Sequence, residues 1–504
     1  MGSKLLTLLA ALLTSALVSA QIGTQGSFFG TVTDESGGVV GNAEVTATNL
    51  ATGFTRTVQT APDGNFEILA LPIGPYTVSV TARGFKKWEL SRTELNVGDR
   101  DRISPVLQVG EVTQSIAVQG AADVLQTEKA DVESVIQMQE IRELPLATRN
   151  PLALVSMVPG MRYESTQNGG ERATYVQGQG LRDNKTAFQL NGLNSNAPMD
   201  EGGTAIPNVD AVAEFNVQTL DFSAESGRDP MQVLVVTKAG TNEFHGALWE
   251  FLQNDALNAR NTFAVSKNRV RYNQFGASLG GPVVHNKTFF YANFQGTVIH
   301  NQTVYNSLAV TPAMKSGDFS AFSKIIKDPV TGSPFPGNRI PASRINSASS
   351  YFLPLILEPN SPDGRFKTNA TAPNNTWEGT LRIDHELTNA QHLSGNWVTV
   401  RQPQTVLGYN PSPSITGYSN VVQNNIALNY TWTISPRTLL MASGGTMRTN
   451  QTYGNPHLGK QNDDQLAGIQ GFPSAGRESW IGPPDIFFGS GYTGVIQVRI
   501  SKGT

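Results

Sequence analysis

The sequence predicts a mainly β protein, and three observations support that fold class. Charged residues make up 15% of the 504-residue chain and glycine occurs 49 times, a composition typical of strands and turns rather than of helical bundles. Short runs that alternate apolar with small or polar residues recur along the chain and are separated by Gly, Pro and Asn. Beyond the N-terminus no apolar run approaches the about 18 residues of a membrane helix, so any membrane span has to consist of strands.

Two further counts narrow the possible chemistry and partners. The chain contains no cysteine, which excludes a disulfide framework and a thiolate metal site. Its formal net charge is −3 and no long basic patch occurs, which argues against a nucleic-acid partner. We therefore expect a protein that is held together by its core or by a membrane.

Residues 1–20 have the pattern of a signal peptide. Lys4 provides the positive start, and the apolar segment 5–18 is too short to remain as a membrane helix. Residues 18–20 read Val-Ser-Ala, which resembles an A-x-A cleavage site, whereas a buried N-terminal helix would carry polar residues on one face. The sequence predicts export, with a mature chain that starts at Gln21.

Residues 21–110 predict a small all-β sandwich. The sequences ESGG, APDG and PIGP separate short β-branched runs and supply glycine where a turn needs a positive φ. Ending with Gly74, Tyr76, Val78 and Val80, the unit resembles the carboxypeptidase regulatory-like domain, which has a transthyretin-type fold and carries no peptidase chemistry. The five predicted strands are 28–34, 43–48, 54–60, 65–69 and 76–81.

The segment 111–127 is extended and uncharged in its middle. It is either a plain linker strand or a segment that adds to the sheet edge of a partner through main-chain hydrogen bonds. Its place before the next domain resembles that of the TonB box of TonB-dependent receptors. The residues of this candidate TonB box are Thr113, Gln114, Ser115, Ile116, Ala117 and Val118.

Residues 128–240 predict a compact α/β unit. Apolar residues at helical spacing predict a helix over 135–144, which Pro145 ends, and a second short helix over 151–158. The order of elements resembles the plug domain of TonB-dependent receptors, with Asn191-Gly192 where that family usually has Asp-Gly; Asn suits a tight turn equally well. The predicted strands are 173–177, 186–190, 214–218 and 232–237.

The remaining residues, 241–504, predict antiparallel strands with one apolar face. Residues 271–296 contain two runs of period two around a Gly/Pro/Asn turn, and their polar face carries Gly, Ser, Asn and Gln. The aromatic residues Phe289, Phe290 and Tyr291 beside this turn are expected at a membrane interface. The seven predicted strands are 244–252, 272–280, 288–298, 376–387, 393–401, 421–433 and 438–449.

The connections between these strands alternate in length. A bacterial outer-membrane barrel has long extracellular loops on one rim and short periplasmic turns on the other, whereas a soluble sandwich has no reason for such alternation. The sequence therefore predicts an outer-membrane barrel, with its short turns on the periplasmic rim. The long connections are 253–271, 299–375 and 402–423, and the short ones are 281–287, 388–392 and 434–437.

In this order the units resemble the Oar-like TonB-dependent transporters, and the resemblance covers essentially the whole chain. The motifs QFGASLGGP and NKTFFYANFQG and the loop sequence DPVTGSPFPGNRIPASRI carry it. It implies a small β-sandwich, an α/β plug domain and the first strands of an outer-membrane antiparallel β-barrel. Because such transporters have about 22 strands, the predicted strands correspond to part of a barrel, and this part alone is expected to be too narrow to enclose the plug.

The resemblance implies an outer-membrane receptor that takes up an unknown extracellular ligand. Energy would come from the TonB complex in the periplasm, where the N-terminal domain would lie, and outer-membrane lipid would surround the barrel. A second hypothesis is a surface adhesion or assembly protein without transport, in which the loop 305–375 is the active part. Candidate ligand contacts in this loop, with solvated loop packing as their alternative role, are Phe319, Phe335, Arg339 and Arg344.

Enzymatic motifs occur only as isolated matches. The sequence 276–280 fits the G-x-S-x-G pattern but lies within a predicted strand instead of a strand-turn-helix unit. His385 and Glu386 are followed by His392, which is three residues beyond the H-E-x-x-H spacing, and the other histidines are scattered. The sequence therefore predicts no enzyme, no cofactor and no metal site.

Overall fold

The fold, taken from a computed structural model, is mainly β, as the sequence predicts. An N-terminal sandwich is followed by an inner domain at 132–237 and by a seven-stranded sheet, the wall, against which the inner domain packs. The predicted signal peptide lies outside the described residues. The structure describes residues 25–110, 115–118, 132–137, 149–164, 175–178, 186–196, 203–220, 231–259, 267, 269–406, 417–435, 438–454 and 463–470.

The sandwich consists of two main sheets, in the strand orders β5-β1-β8 and β10-β7-β6-β3-β4, and a short pair β2-β9. Its strands are β1 Gln25–Thr31, β2 Thr33–Asp34, β3 Glu44–Asn49, β4 Thr55–Gln59, β5 Asn65–Pro72, β6 Gly74–Thr81, β7 Lys87–Leu95, β8 Arg100–Arg102, β9 Val106–Leu107 and β10 Ser115–Val118. Phe28 and Tyr76 pack edge to face across the core, with ring centroids 5.6 Å apart. The five predicted strands are confirmed, whereas β7 escapes the sequence pattern because four of its nine residues are charged.

The inner domain is built on one mixed sheet in the order β11-β16-β17-β14-β15, beside the pair β12-β13. Its elements are β11 Val132–Gln137, a 3₁₀ helix Pro151–Met157, β12 Met161–Glu164, β13 Tyr175–Gly178, β14 Thr186–Leu190, β15 Leu193–Asn194, β16 Val212–Leu220 and β17 Met231–Thr237. Every residue of β17 is buried, so this strand forms the centre of the domain. All four predicted strands and the second predicted helix are present.

The helix predicted over 135–144 is wrong in its first residues. Residues 135–137 belong to β11, which pairs antiparallel with β16, and residues 138–148 lie outside the described residues. The sequence VESVIQ is rich in β-branched residues, which favour a strand when a neighbouring strand is available. Pairing with β16 thus overrides the helical spacing of the apolar residues.

The wall is a sequential antiparallel sheet of seven strands. The strands are β18 His245–Asn254, β19 Arg271–Val284, β20 Thr288–Leu308, β21 Arg365–Thr388, β22 Gln391–Val406, β23 Gly417–Ser435 and β24 Thr438–Gly454. All seven predicted strands are confirmed, but the long connection predicted over 299–375 is too long. β20 and β21 pair as far as Leu308 and Arg365. Their distal residues are mostly polar, and Val304 and Tyr305 are adjacent, so the alternation that marks a half-buried strand is weak there.

Short helices occur in the long connections. They are Asp255–Leu257, Pro312–Lys315, Pro336–Asn338, Ala342–Arg344, Ser347–Phe352, Leu353–Leu355 and Asp463–Leu466. None of the helices in the described part of the chain has the length and hydrophobicity needed to cross a membrane.

The two faces of the wall differ as the sequence predicts. Apolar side chains such as Leu279, Phe294 and Ile426 are exposed on the outer face, where a membrane barrel meets lipid. Polar side chains such as Gln274 and Asn293 are buried on the face toward the inner domain. The outer side therefore has the apolar character expected of a membrane barrel, and the side facing the inner domain is lined by amides and hydroxyls.

The prediction that three neighbouring aromatic residues lie at the membrane interface is wrong for two of them. Phe289 and Tyr291 are buried on the inner face, whereas Phe290 is half-buried and packs against Phe244, with ring centroids 6.4 Å apart. Alternate residues of a strand point to opposite faces, so a run of three aromatics cannot all face lipid.

Candidate functional site

The described part of the candidate TonB box, β10, pairs in parallel with the sandwich strand β7. The register joins Ser115 to Lys87 and Val118 to Leu90. β10 is the outermost strand of its sheet and has no second neighbour among the described strands. Thr113 and Gln114 lie outside the described residues. The structure thus brings four of the six residues to a sheet edge within the same chain, an arrangement that the sequence did not reveal.

The sandwich is docked on the short-turn rim of the wall through asparagines. The backbone N–H of Asn242 donates to the carbonyl of Ala51 at 2.9 Å, and its Nδ2 donates to the carbonyl of Thr52 at 2.7 Å. Asn286, in the turn between β19 and β20, accepts from Asn242 Nδ2 at 2.7 Å and donates its backbone N–H to Asn242 Oδ1 at 2.8 Å. One turn of the sandwich is therefore tied to the segment that leads into β18, and this segment is tied to the turn between β19 and β20.

Two further hydrogen bonds hold the sandwich in place. Gln25 Nε2 donates to Thr431 Oγ1 of the wall at 3.0 Å. The backbone N–H of Val97 donates to the carboxylate of Glu214 in the inner domain, at 2.9 Å to Oε2. The sandwich thus contacts both the wall and the inner domain, and its orientation relative to them is fixed at several points.

The inner domain contacts the wall mainly through neutral amide and hydroxyl groups. Asn208 Nδ2 donates to Asn293 Oδ1 at 2.7 Å, and the backbone N–H of Ala205 donates to Gln423 Oε1 at 3.0 Å. Both asparagines are buried. A buried neutral hydrogen bond contributes about 1 kcal/mol net and leaves no charge behind when it is separated.

Asn191 joins the inner domain to two strands of the wall. It is almost fully buried and has a left-handed φ of 50°, which confirms its predicted place in a tight turn. Its Oδ1 accepts from the backbone N–H and the hydroxyl of Thr237, at 2.9 and 3.0 Å. Its Nδ2 donates to Asn396 Oδ1 at 2.8 Å, and its carbonyl accepts from Asn429 Nδ2 at 3.1 Å. An aspartate would keep the turn but lack the donor to Asn396.

Charged groups of the wall cluster near its short-turn rim. Arg382 binds Asp384 through two bonds of 2.9 Å and donates from Nη1 to the carbonyl of Thr237, the last residue of β17, at 2.7 Å. His392 Nδ1 lies 2.7 Å from Glu386 Oε1 across the β21-β22 hairpin. The histidine and glutamate noted in the sequence therefore stabilise a strand end. Among the described residues no group of acidic residues and histidines has the geometry to hold a metal ion.

A small polar pocket lies between part of the inner domain and the wall. At its edge Arg149 pairs with Asp210 at 2.6 Å and its guanidinium lies 4.0 Å from the ring centroid of Phe251. The pocket is suited to water or a polar solute, because amide and charged groups dominate its lining. Residues that line it include Arg149, Asn208, Gln295, Glu378, Gln402 and Gln423.

The long loop 309–364 is ordered by its own side chains, with Asn338 at the centre. Asn338 Nδ2 donates to the carbonyls of Phe319 and Lys324 at 2.8 and 2.9 Å, and its Oδ1 accepts from the backbone N–H of Ile326 at 2.6 Å. Its φ is 58°, in the left-handed region that Asn tolerates better than most residues. One side chain thus joins three segments of the loop.

The four candidate ligand residues all lie in this loop, and the two arginines pair with carboxylates of the loop itself. Arg344 Nη2 lies 2.7 Å from both carboxylate oxygens of Asp328, and Arg339 lies 3.1 Å from Asp318. Phe319 packs edge to face on a neighbouring ring, with centroids 6.3 Å apart, and the backbone of Phe335 is hydrogen bonded within the loop. These contacts fit the loop-packing role, and a role in ligand contact stays a prediction.

The ion pairs of the loop lower the pKa of its acidic residues. The hydrogen bond from Lys367 lowers the pKa of Asp363 from 3.8 to about 2. The backbone N–H of Val330, together with Arg344, lowers the pKa of Asp328. These carboxylates are therefore ionised at neutral pH and stabilise the loop only while they remain so.

Three asparagines that sequence reasoning did not assign to a site turn out to join distant segments. Asn191, Asn286 and Asn338 all have left-handed φ, at 50°, 58° and 58°. The side chain of Asn191 binds the wall, that of Asn338 binds other parts of its loop, and that of Asn286 accepts from Asn242 in the segment before β18. Such residues could have been found in the sequence as asparagines at turn positions that need a positive φ. The groups that their amides contact follow only from the folded structure.

The comparison with known families defines the class of protein. Residues 236–501, just over half of the chain, match the family described as "Outer membrane beta barrel domain". The chain therefore belongs to that family and is an outer-membrane protein. Residues 27–108 match the carboxypeptidase regulatory-like domain, which confirms the predicted resemblance of the sandwich.

A particular relative is the TonB-dependent transporter Oar of Myxococcus xanthus. The two sequences are 25% identical over 294 residues, which cover 55% of this chain and 27% of the relative. The chain thus spans about a quarter of the length of that curated relative. The predicted family resemblance is confirmed, and the relative is a transporter rather than an enzyme.

Solved structures of outer-membrane transporters are also similar. The transporter YddB from Escherichia coli is 11% identical with a TM-score of 0.45, and the match covers 65% of this chain and 40% of that one. The ferric enterobactin receptor PfeA from Pseudomonas aeruginosa, as a mutant in complex with enterobactin, is 12% identical with a TM-score of 0.37, covering 66% and 43%.

Proposed function

We propose that the protein is a receptor that takes up an extracellular ligand across the outer membrane with energy delivered by TonB. One observation carries the proposal: the inner domain packs against the polar face of the wall and is held there mostly by neutral hydrogen bonds. Such a domain acts as a plug: it closes the barrel, and it can be displaced without separating many buried charges.

Energy has to reach the plug from elsewhere, because the outer membrane has no ATP supply. The candidate TonB box precedes the inner domain in the chain, so a pull on this segment is directed at the plug. A short extended segment is suited to strand addition, in which main-chain hydrogen bonds provide most of the affinity. The relative Oar is named as TonB-dependent, which supports TonB as the partner.

The two rims of the wall are assigned opposite sides of the membrane. The sandwich docks on the short-turn rim, which is the periplasmic rim in bacterial outer-membrane barrels. The loop 309–364 then faces the exterior, where Phe319, Phe335, Arg339 and Arg344 are offered as ligand contacts.

The test compares two double variants of the gene that encodes this chain. I116P/A117P removes two backbone N–H donors from the candidate TonB box, whereas I116A/A117S changes the same side chains and keeps both donors. Each is expressed in a deletion strain, and mass spectrometry follows the depletion of compounds from a complex culture medium. A protonophore serves to remove the energy source.

The proposal expects at least one compound to be depleted by the wild type and by I116A/A117S. Its depletion should stop with I116P/A117P, with the protonophore and in the deletion strain. Equal depletion in all strains would contradict uptake by this protein. If surface binding of cells or particles is lost on deletion while no compound is depleted differently, the adhesion or assembly hypothesis replaces it.

A further inference from the structure

We infer that the sandwich presents residues 115–118 to the periplasmic partner as a ready-made edge strand. The partner strand then adds to the open side of β10 and becomes the sixth strand of the sheet β10-β7-β6-β3-β4, without displacing β10 from β7. This inference rests on the proposed function and assigns a second role to the sandwich: it is part of the docking surface for the partner.

The hydrogen-bonding geometry of a strand provides the first reason. Backbone N–H and C=O groups of successive residues point alternately to the two sides of a strand, so pairing with β7 uses only one side of Ser115–Val118. No other described strand occupies the second side. A row of backbone donors and acceptors at a sheet edge is a template for another strand.

The conformational entropy of the segment provides the second reason. Residues in a free linker sample many backbone conformations, and a partner that binds them has to pay for their ordering. Pairing with β7 has already fixed these residues in an extended conformation. A partner strand that adds to the open side of β10 therefore does not have to order these residues, and the hydrogen bonds between β10 and β7 are kept. A partner that displaces β10 from β7 would break those hydrogen bonds.

The position of the sandwich provides the third reason. Asn242 and Asn286 tie it to the rim, and Gln25 binds Thr431 on another wall strand. The edge formed by β10 is therefore held at a fixed place beside the inner domain instead of at the end of a free tether. A partner strand that pairs there reaches the sandwich and the segment that leads to the plug at the same time.

A reversible cross-link tests the inference. Ala117 lies opposite Glu89 in the register of β10 and β7, and Glu89 is a partly exposed residue that pairs with Lys87 at 2.6 Å. The chain has no cysteine of its own, so A117C/E89C introduces the only two thiols. Oxidation locks β10 onto β7, and reduction releases it in the same protein. A short bis-maleimide closes the same link if the thiols do not oxidise.

The measurement is the Kd of the full chain in detergent for the periplasmic part of TonB from the same organism. We expect the locked form to bind as tightly as the reduced form, within about twofold, or more tightly. A locked form that binds at least tenfold more weakly overturns the inference, because the partner then has to displace β10. A117C and E89C alone control for the substitutions. If the wild type and the reduced variant both fail to bind, the proposed function itself fails.

Discussion

The interface between the inner domain and the wall and the long loop 309–364 are both held by side-chain hydrogen bonds, but the two regions use different chemistry. At the interface, buried asparagines such as Asn191 and Asn396 pair with each other. In the loop, ion pairs such as Arg344 with Asp328 and Lys315 with Glu358 lie at the surface. In these contacts the neutral pair is buried, whereas the ion pairs lie where water can reach them.

This difference teaches how each region tolerates change. Separating two buried neutral groups exposes no isolated charge, so the interface can open at a modest cost for each bond. Ion pairs at the surface are screened by water and each contributes little, so the loop relies on several of them together with the amide of Asn338. The interface is therefore sensitive to added charge, whereas the loop is sensitive to the loss of its central amide.

The largest effect is expected from placing charge at the interface. N191D or N396D alone buries one new carboxylate and should cost about 1–2 kcal/mol, although the remaining amide can turn its NH₂ group toward it. N191D/N396D sets two buried carboxylates against each other in place of a 2.8 Å contact and should cost about 5 kcal/mol or more. Thermal unfolding in detergent and protease resistance of residues 149–237 measure the change. A double variant whose loss equals the sum of the single losses would contradict the coupling.

The second effect breaks the loop at its centre. N338A removes the amide with its three shortest hydrogen bonds, and it places alanine at a φ of 58°. At about 1 kcal/mol for each bond, backbone amides of the loop should exchange with solvent roughly 100-fold faster, while β20 and β21 keep their protection. Hydrogen exchange with mass spectrometry measures this. N338G keeps the backbone conformation but not the amide, so exchange at the wild-type rate in N338G would show that the hydrogen bonds are unimportant.

A smaller effect is expected when the pH is lowered, because the loop depends on ionised carboxylates and the neutral interface does not. The folded-state pKa of Asp363 lies below its usual 3.8, at about 2, so its stabilisation is present above pH 4 and is lost as the pH falls toward 2. The pKa values of Asp318 and Asp328 are lowered as well. Pepsin should therefore cut the loop increasingly faster between pH 4 and 2 in the wild type. D363N, compared at each pH, should be cut faster at pH 4 and show a smaller change.

The smallest effect is expected at Arg339. Its side chain is 65% exposed and its pair with Asp318 is screened by water, so R339Q should leave hydrogen exchange of the loop within about twofold of the wild type. Because R339Q leaves the loop ordered, a loss of ligand binding in this variant would indicate a direct contact between Arg339 and the ligand. A strongly disordered loop would instead show that the ion pair matters for folding.

Much of the fold could be predicted from the sequence because strand periodicity is local. Alternation marked all seven wall strands, and the alternating connection lengths predicted the outer-membrane barrel family that the comparison shows. The ends of β20 and β21 could not be found in this way, because their distal residues are mostly polar and the alternation is weak there. The start of the helix predicted over 135–144 was wrong because its strand conformation depends on pairing with β16, a partner distant in sequence.

The candidate sites were less predictable, because they depend on which groups meet. The turn at Asn191 was recognised from the sequence, but its bond to Asn396 joins residues on different domains. The candidate TonB box was found as an extended segment, and its pairing with Lys87–Leu90 was not. Arg339 and Arg344 were identified as charged loop residues, while their carboxylate partners follow only from the folded loop.

The hydrogen bond from Gln25 to Thr431 also bears on the order of assembly. It joins residues that are 406 positions apart, whereas the sandwich strands pair with one another over much shorter distances in the chain. Contacts between distant residues form late, because the intervening chain has to be ordered first. The sandwich can therefore fold before the wall is complete. Its hydrogen bond to Thr431 can form only after β23 has joined the wall.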